Sequence, residues 1–224
     1  MALILSGMAA HADVRPAVVE LFTSQGCSSC PPADAYVGEL VRRHDVLALT
    51  FHVDYWDDLG WRDRFGLPEA VRRQRAYAEA LKLASVYTPQ IVVDGRRDFV
   101  GSDRGAIDRA VAEPRAGVAV GLSVNGGDVL VDLGAGDQVP ASEVVLVAFQ
   151  RSAVTAVGRG ENAGRTLAEF NVVRDFRRLG RWDGRPQQWR CPIADLPRDA
   201  TDVAVLVQPA GLAPIIGARS LNLR

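Results

Sequence analysis

The apolar positions along this chain follow two different rhythms, and the change falls near residue 117. In the first half, short continuous apolar runs alternate with stretches of helical spacing. Val18, Val19, Leu21 and Phe22 form one run, which the turn residues Thr23, Ser24, Gln25 and Gly26 end, as for a buried strand followed by a loop. Ala33, Tyr36, Val37, Leu40 and Val41 then recur at helical spacing, with Arg42 and Arg43 suited to a helix C-terminus. Residues 46–53 are almost wholly apolar, which predicts a strand buried on both faces and parallel to the first. An aromatic and acidic stretch with Trp56, Asp57, Asp58, Trp61 and Asp63 precedes a helix-forming segment carrying Val71, Tyr77, Ala78, Leu81 and Leu83. Residues 90–94 and 98–101 predict an antiparallel pair turning at Gly95, and Ser102 and Asp103 cap a helix over 104–112.

After residues 113–117 the period becomes two. Val118, Val120, Leu122 and Val124 alternate with smaller residues, a turn follows at 125–128, and Val129, Val131 and Leu133 resume the alternation. Further strands are expected at 144–149, 172–176, 203–208 and 214–218. The fold expected is therefore an α/β thioredoxin-like domain over 14–113, with a helical insertion at about 55–87. A small antiparallel β-sandwich-like domain over 117–224 is expected to follow it.

Composition narrows the function without choosing it. The 26 basic and 27 acidic side chains leave no excess of either sign, and Lys82 is the single lysine, so no nucleic-acid or anionic-membrane surface is expected. Residues 1–12 are apolar or small and end in Ala10, His11 and Ala12, the form of a signal-peptidase site. The stretch is too short to span a membrane and lacks a basic start, so it is expected to be a truncated signal peptide preceding a periplasmic or secreted chain.

The chemistry centres on Cys27 and Cys30, three apart at the predicted start of a helix. Thiol-disulfide exchange needs one thiol that is ionised near neutral pH and open to attack, and a second within reach to resolve the mixed disulfide. Unpaired amides and the helix dipole favour a Cys27 thiolate, and Cys30 lies one turn on; Pro31 and Pro32 suit the first turn. A CxxC is also half of a zinc or copper site, for which His52 is the candidate third ligand, and it can be an inert structural pair. Thr88 and Pro89 precede a strand. In a thioredoxin-like fold the proline at this point is cis and faces the cysteines, leaving the Thr88 backbone free to pair with an incoming chain; the plainer reading is a trans proline opening an edge strand. Glu20, a carboxylate within an apolar strand, is the candidate proton acceptor for Cys30, or else a strand-end charge. His52 and Asp54 either line the dithiol groove or belong to the core. Trp61 and Tyr77 are expected to pack within the insertion, and Cys191 to be a small buried hydrophobe.

The stretch from Glu20 through Gly26, Cys27, Cys30 and Pro32 to Asp34 resembles a bacterial family of secreted thioredoxin-like proteins of unknown function. His52 to Asp57, Tyr87 to Gln90, Gly160 to Leu167 and Asn171 to Arg174 share the resemblance. It implies no established reaction. Gly26 stands where thioredoxin has a tryptophan, and Ser28 and Ser29 separate the cysteines, so the resemblance leaves the direction of exchange open. Three functions are weighed: a cell-envelope thiol-disulfide oxidoreductase acting on protein or small-molecule thiols without a separate cofactor, a copper- or zinc-binding protein, and a partner-binding module with a static disulfide.

Overall fold

The structure, a computed structural model, describes residues 15–223, so the expected signal peptide lies outside the described residues. Strands β1 (Ala17–Thr23) and β2 (Val46–His52) pair in parallel from Ala17↔Val46 to Thr23↔His52, and every residue of both is buried. Covering on both faces is why each reads as a nearly unbroken apolar run. Between them, helix α1 (Pro31–Leu40) begins with prolines in its first turn and Cys30 at its N-cap. Those prolines forgo only amides that have no helical partner. A short 3-10 turn at Asp57–Leu59 and helix α2 (Pro68–Ala80) form the helical insertion. Strands β3 (Gln90–Val93) and β4 (Arg97–Val100) follow, β3 antiparallel to β1 and β4 antiparallel to β3. Helix α3 (Arg104–Val111) is capped by the Asp103 side chain, which accepts from the Ala106 amide at 3.1 Å.

The second half contributes β5 (Gly121–Asn125), β6 (Asp128–Leu133), β7 (Ser142–Ala156), β8 (Thr166–Trp182), β9 (Gln187–Pro192), β10 (Asp202–Pro209) and β11 (Gly217–Asn222). These strands do not close into a sandwich of their own. Four of them extend the first half's sheet, in the order β11-β10-β7-β8-β2-β1-β3-β4, while β5, β6 and β9 form a separate three-stranded layer. The seam is narrow: β8 meets β2 at the single pair Thr50↔Val172, reinforced by Thr50 Oγ1 donating to the Phe170 carbonyl at 2.7 Å and Asn171 Nδ2 donating to the Ala48 carbonyl at 2.8 Å.

The alternation within β1 and β2 sorts the core. Val18, Phe22, Leu47, Leu49 and Phe51 face α2 in a cluster that runs on to Val145, Val147, Val173 and Leu206. Ala17, Val19, Leu21, Val46 and Ala48 face α1 and α3. Farther along the sheet, Val144, Leu146, Val203 and Val205 carry the three-stranded layer. Among the described residues no helix is long and apolar enough to cross a membrane.

Candidate functional site

Cys27 and Cys30 form a disulfide with their Cα atoms 5.5 Å apart. The loop folds tightly into α1: the Cys30 amide donates to the Cys27 carbonyl at 3.2 Å, and the Ala33 and Asp34 amides donate to the Cys30 carbonyl at 2.8 and 3.1 Å. The bond thus sits at the positive end of a ten-residue helix.

Thr88-Pro89 is a cis peptide, and Pro89 lies beside the start of α1. A Cβ added at Gly101 would stand 2.8 Å from Ala33 Cβ and 2.9 Å from Pro89 Cβ, so this glycine lets β4's end pass between proline and helix. Gly101→Ala is expected to cost about 1–3 kcal/mol through overpacking, read from urea unfolding midpoints. On the other side, Trp56 Nε1 donates to Thr88 Oγ1 at 2.9 Å, and Trp56 Cβ would be 3.0 Å from a Cβ at Gly26. Trp56 therefore links the Thr88 side chain to the turn that holds Cys27.

Three expectations about this site are corrected. The sequence predicts an exposed dithiol, yet both cysteines are fully buried and only Ser28 and Ser29 between them are exposed. The β7–β8 connection, residues 157–165, is bonded to the turn that holds Cys27. Asn162 Nδ2 donates to the carbonyls of Gln25 and Cys27, each at 2.9 Å, and a Glu161 carboxylate oxygen accepts from the Ser28 amide at 3.1 Å. Trp61 donates to Gln25 Oε1 at 2.9 Å and packs against Gly158 and Gly160, so it belongs to this cover and not to the insertion's interior.

Glu20, the expected proton acceptor, does not meet the dithiol. It points to the α2 face, away from α1, where Arg73 grips it with Nε at 2.5 Å and Nη2 at 2.9 Å. Tyr77 donates to it at 2.5 Å, and Arg73 also reaches Gln208 Oε1 at 3.0 Å. Tyr77 is thus part of a buried polar knot as well as of the core.

On the α1 face a different set of charges converges. His52 Nδ1 is 2.7 Å from Asp63 Oδ2, and its Nε2 is 3.8 Å from Glu169 of β8. Glu169 accepts from Gln25 Nε2 at 2.8 Å and from Thr155 Oγ1 at 3.0 Å, while the Gln25 amide donates to Asp63 at 2.8 Å. Burial disfavours the imidazolium, but the carboxylates of Asp63, Glu169 and Asp34 outweigh it and hold His52 above its ordinary pKa. Burial pushes Glu169 up. His52 is therefore committed to carboxylates and not to the cysteines. Among the described residues no three His, Cys, Asp or Glu side chains converge so as to hold a metal ion. Asp54 lines a separate surface groove with Asp57 and Arg62. Cys191, in β9, is a free buried thiol facing the three-stranded layer's core, and burial raises its pKa.

Residues 18–208 match the model of a family described as a protein of unknown function, DUF1223. The chain belongs to that family. It is similar to the crystal structure of protein AGR_C_4864 from Agrobacterium tumefaciens, with a TM-score of 0.81 and 35% identity over 95% of this chain and 96% of that one. It also resembles in fold HBP35 of Porphyromonas gingivalis, with a TM-score of 0.62 and 14% identity, covering 93% of this chain and 75% of the other. No curated protein matches it. Reading the sequence alone missed Asp34, Gln25, Asn162 and Glu169 as parts of this site. Gln25, Asp34 and Asn162 lie within the stretches that carry the family resemblance, Asn162 and Glu169 within a dense polar run, and Asp34 at i, i+4 from Cys30, but none of these signals named a role.

Proposed function

We propose that this protein is a thiol-disulfide oxidoreductase of the cell envelope, in which a thioredoxin-like half carries the Cys27–Cys30 couple and the second half covers it. The observation that carries this reading is the placement of the disulfide at the start of α1, with Cys30 at the N-cap. A helix N-terminus stabilises a thiolate leaving group, so cleavage at Cys27 by an incoming thiol is favoured there. The electrons reside in the dithiol, and no separate cofactor takes part. Protein or small-molecule thiols are the partners this chemistry serves. The apolar residues 1–12, ending in Ala10, His11 and Ala12, suit export to the oxidising compartment in which such a bond persists.

The full burial of both sulfurs supports a second reading, a static disulfide that holds the 157–165 loop in place. Reactivity separates the two. Under the first reading the wild-type protein exchanges with a model dithiol, and Cys27→Ser reduces turnover of a model disulfide to background. Turnover by Cys27→Ser at the wild-type rate would falsify the first reading, and so would a disulfide that dithiols reduce only on global unfolding.

A further inference from the structure

Below the disulfide, three buried polar atoms, Thr23 Oγ1, Asp34 Oδ1 and His52 Nε2, make no well-formed hydrogen bond, and the Thr23 hydroxyl interacts only weakly with the Asp34 carboxyl. They are neighbours. Thr23 and His52 end β1 and β2 as a register pair, and both influence the Asp34 carboxyl from close range. Asp34 descends from α1 one turn after Cys30, and the i, i+4 relation sets these two side chains on the same buried face of the helix. Buried polar atoms normally make well-formed hydrogen bonds, so a cluster this poorly satisfied calls for an explanation beyond packing.

Asp34 also has a way out. It lines a 390 Å³ groove between α1 and β8, where Pro31 and Gly38 face Thr166, Leu167 and Phe170. Asp34 therefore shares the buried helix face of Cys30 and also borders a solvent-facing groove. The groups facing it are His52 from β2, Thr23 from β1, Glu169 from β8 and Asp63 from the insertion, while Glu39 of α1 and Arg42 just past its end border the groove. Burial pushes its carboxyl up to about 7, with Glu169 and Asp63 adding to the rise and the His52 charge and the Thr23 hydroxyl opposing it. Such a group changes protonation in the range where exchange runs.

We propose that Asp34 is the internal acid and base of Cys30, passing its proton to and from solvent through the groove between α1 and β8. The inference rests on the dithiol reading. In the reducing direction, a thiolate of a partner dithiol attacks Cys27 Sγ, a partner–Cys27 bond forms, and the Cys27–Cys30 bond breaks. Cys30 leaves with the electron pair and takes the Asp34 proton. The partner's second thiolate then attacks the partner sulfur, releasing Cys27 as a thiolate and the partner as a disulfide, so that two electrons have moved from the partner to the protein. Asp34 regains its proton from solvent. In the oxidising direction, with Cys27 in a mixed disulfide to the partner, Asp34, as carboxylate, removes the Cys30 proton; Cys30 then attacks Cys27 Sγ, the Cys27–Cys30 bond forms, the Cys27–partner bond breaks and the partner leaves as a thiolate. The closing step therefore accelerates as pH rises through about 7, where Asp34 becomes a base.

The test is the pH profile of disulfide closure, with reduced protein mixed with oxidised glutathione and the closing step followed by acid quench. Asp34→Asn is expected to slow closure on the order of 100-fold near pH 7 and to remove the limb there, with Asp34→Glu restoring part of both. Thr23→Val, which keeps the acid and deletes the hydroxyl that lowers its pKa, is expected to move the limb upward, and it decides the matter should Asp34→Asn not fold. A wild-type limb and rate in Asp34→Asn, or an unmoved limb in Thr23→Val, overturns the role of Asp34 while leaving the dithiol reading standing. That reading falls if Cys27→Ser keeps turning over, or if dithiols reduce the disulfide only on global unfolding.

Discussion

Arg73→Ala is expected to lose about 3–5 kcal/mol of folding stability, the largest single effect any substitution in this chain should have apart from gross core truncation. The reason is what it leaves behind. Glu20 is fully buried in β1, and Arg73 supplies both parallel hydrogen bonds to its carboxylate. The guanidinium also packs over the rings of Tyr77 and Phe176, each 4.8 Å away. Deleting it strands a carboxylate among Phe22, Phe51 and Tyr77, and the penalty of an unpaired buried charge exceeds what the pair itself contributes. Hence a double replacement, Glu20→Leu with Arg73→Met, is expected to recover most of the loss. Urea unfolding of the two single variants and the double variant reads this directly. A double variant no more stable than Arg73→Ala would show that the knot contributes by more than mutual compensation.

That knot also marks how far the sequence could be read. The parallel β1–β2 pair, α1, the β3–β4 hairpin and α3 follow from local patterns, since each is buried on a stripe or on both faces and its cap or turn residues adjoin it. Glu20 stood out as a carboxylate in an apolar run, but its partner lies 53 residues on. The alternation of Val18, Glu20 and Phe22 against Val19 and Leu21 says that Glu20 leaves one face, and only the placing of α1 and α2 says which. β7 and β8 run to 15 and 17 residues, yet their apolar signal covers only the parts near 144–149 and 172–176. Beyond those, Arg151, Ser152, Arg177 and Arg178 lie at a solvated margin, where strand pairing persists without an apolar pattern. β9 shows one buried residue, Cys191, among exposed or half-buried ones, and so gave no sign of a strand. The merging of both halves into one sheet rests on Thr50↔Val172 and a few side-chain bonds, a non-local fact that no window of sequence contains. The same holds for the site: Cys27 and Cys30 were legible as a pair at a helix start, while the loop bonded to their turn comes from more than 130 residues away.

Removing that cover is the second large effect. Asn162 is fully buried, and its amide is the hydrogen-bond donor to the Gln25 and Cys27 carbonyls. Asn162→Ala deletes both bonds from the closed state only, because in the open state water satisfies the same carbonyls. At about 1 kcal/mol net for each bond, closure weakens by about 2 kcal/mol, which is roughly a 30-fold rise in the open fraction. If a dithiol reaches Cys27 through local opening of 157–165, the rate of reduction of the native protein by dithiothreitol should rise by that factor. Glu161→Gln, which weakens a single exposed bond to the Ser28 amide, should raise it only slightly. Low concentrations of urea discriminate the route: local opening exposes little surface and leaves the rate nearly flat, whereas global unfolding makes it climb steeply. An unchanged rate in Asn162→Ala, in a protein that still folds, would mean that the second half does not gate the disulfide. The burial of Cys27 would then have to be relieved from the side of Trp56 and Thr88, the remaining wall around the turn that holds it.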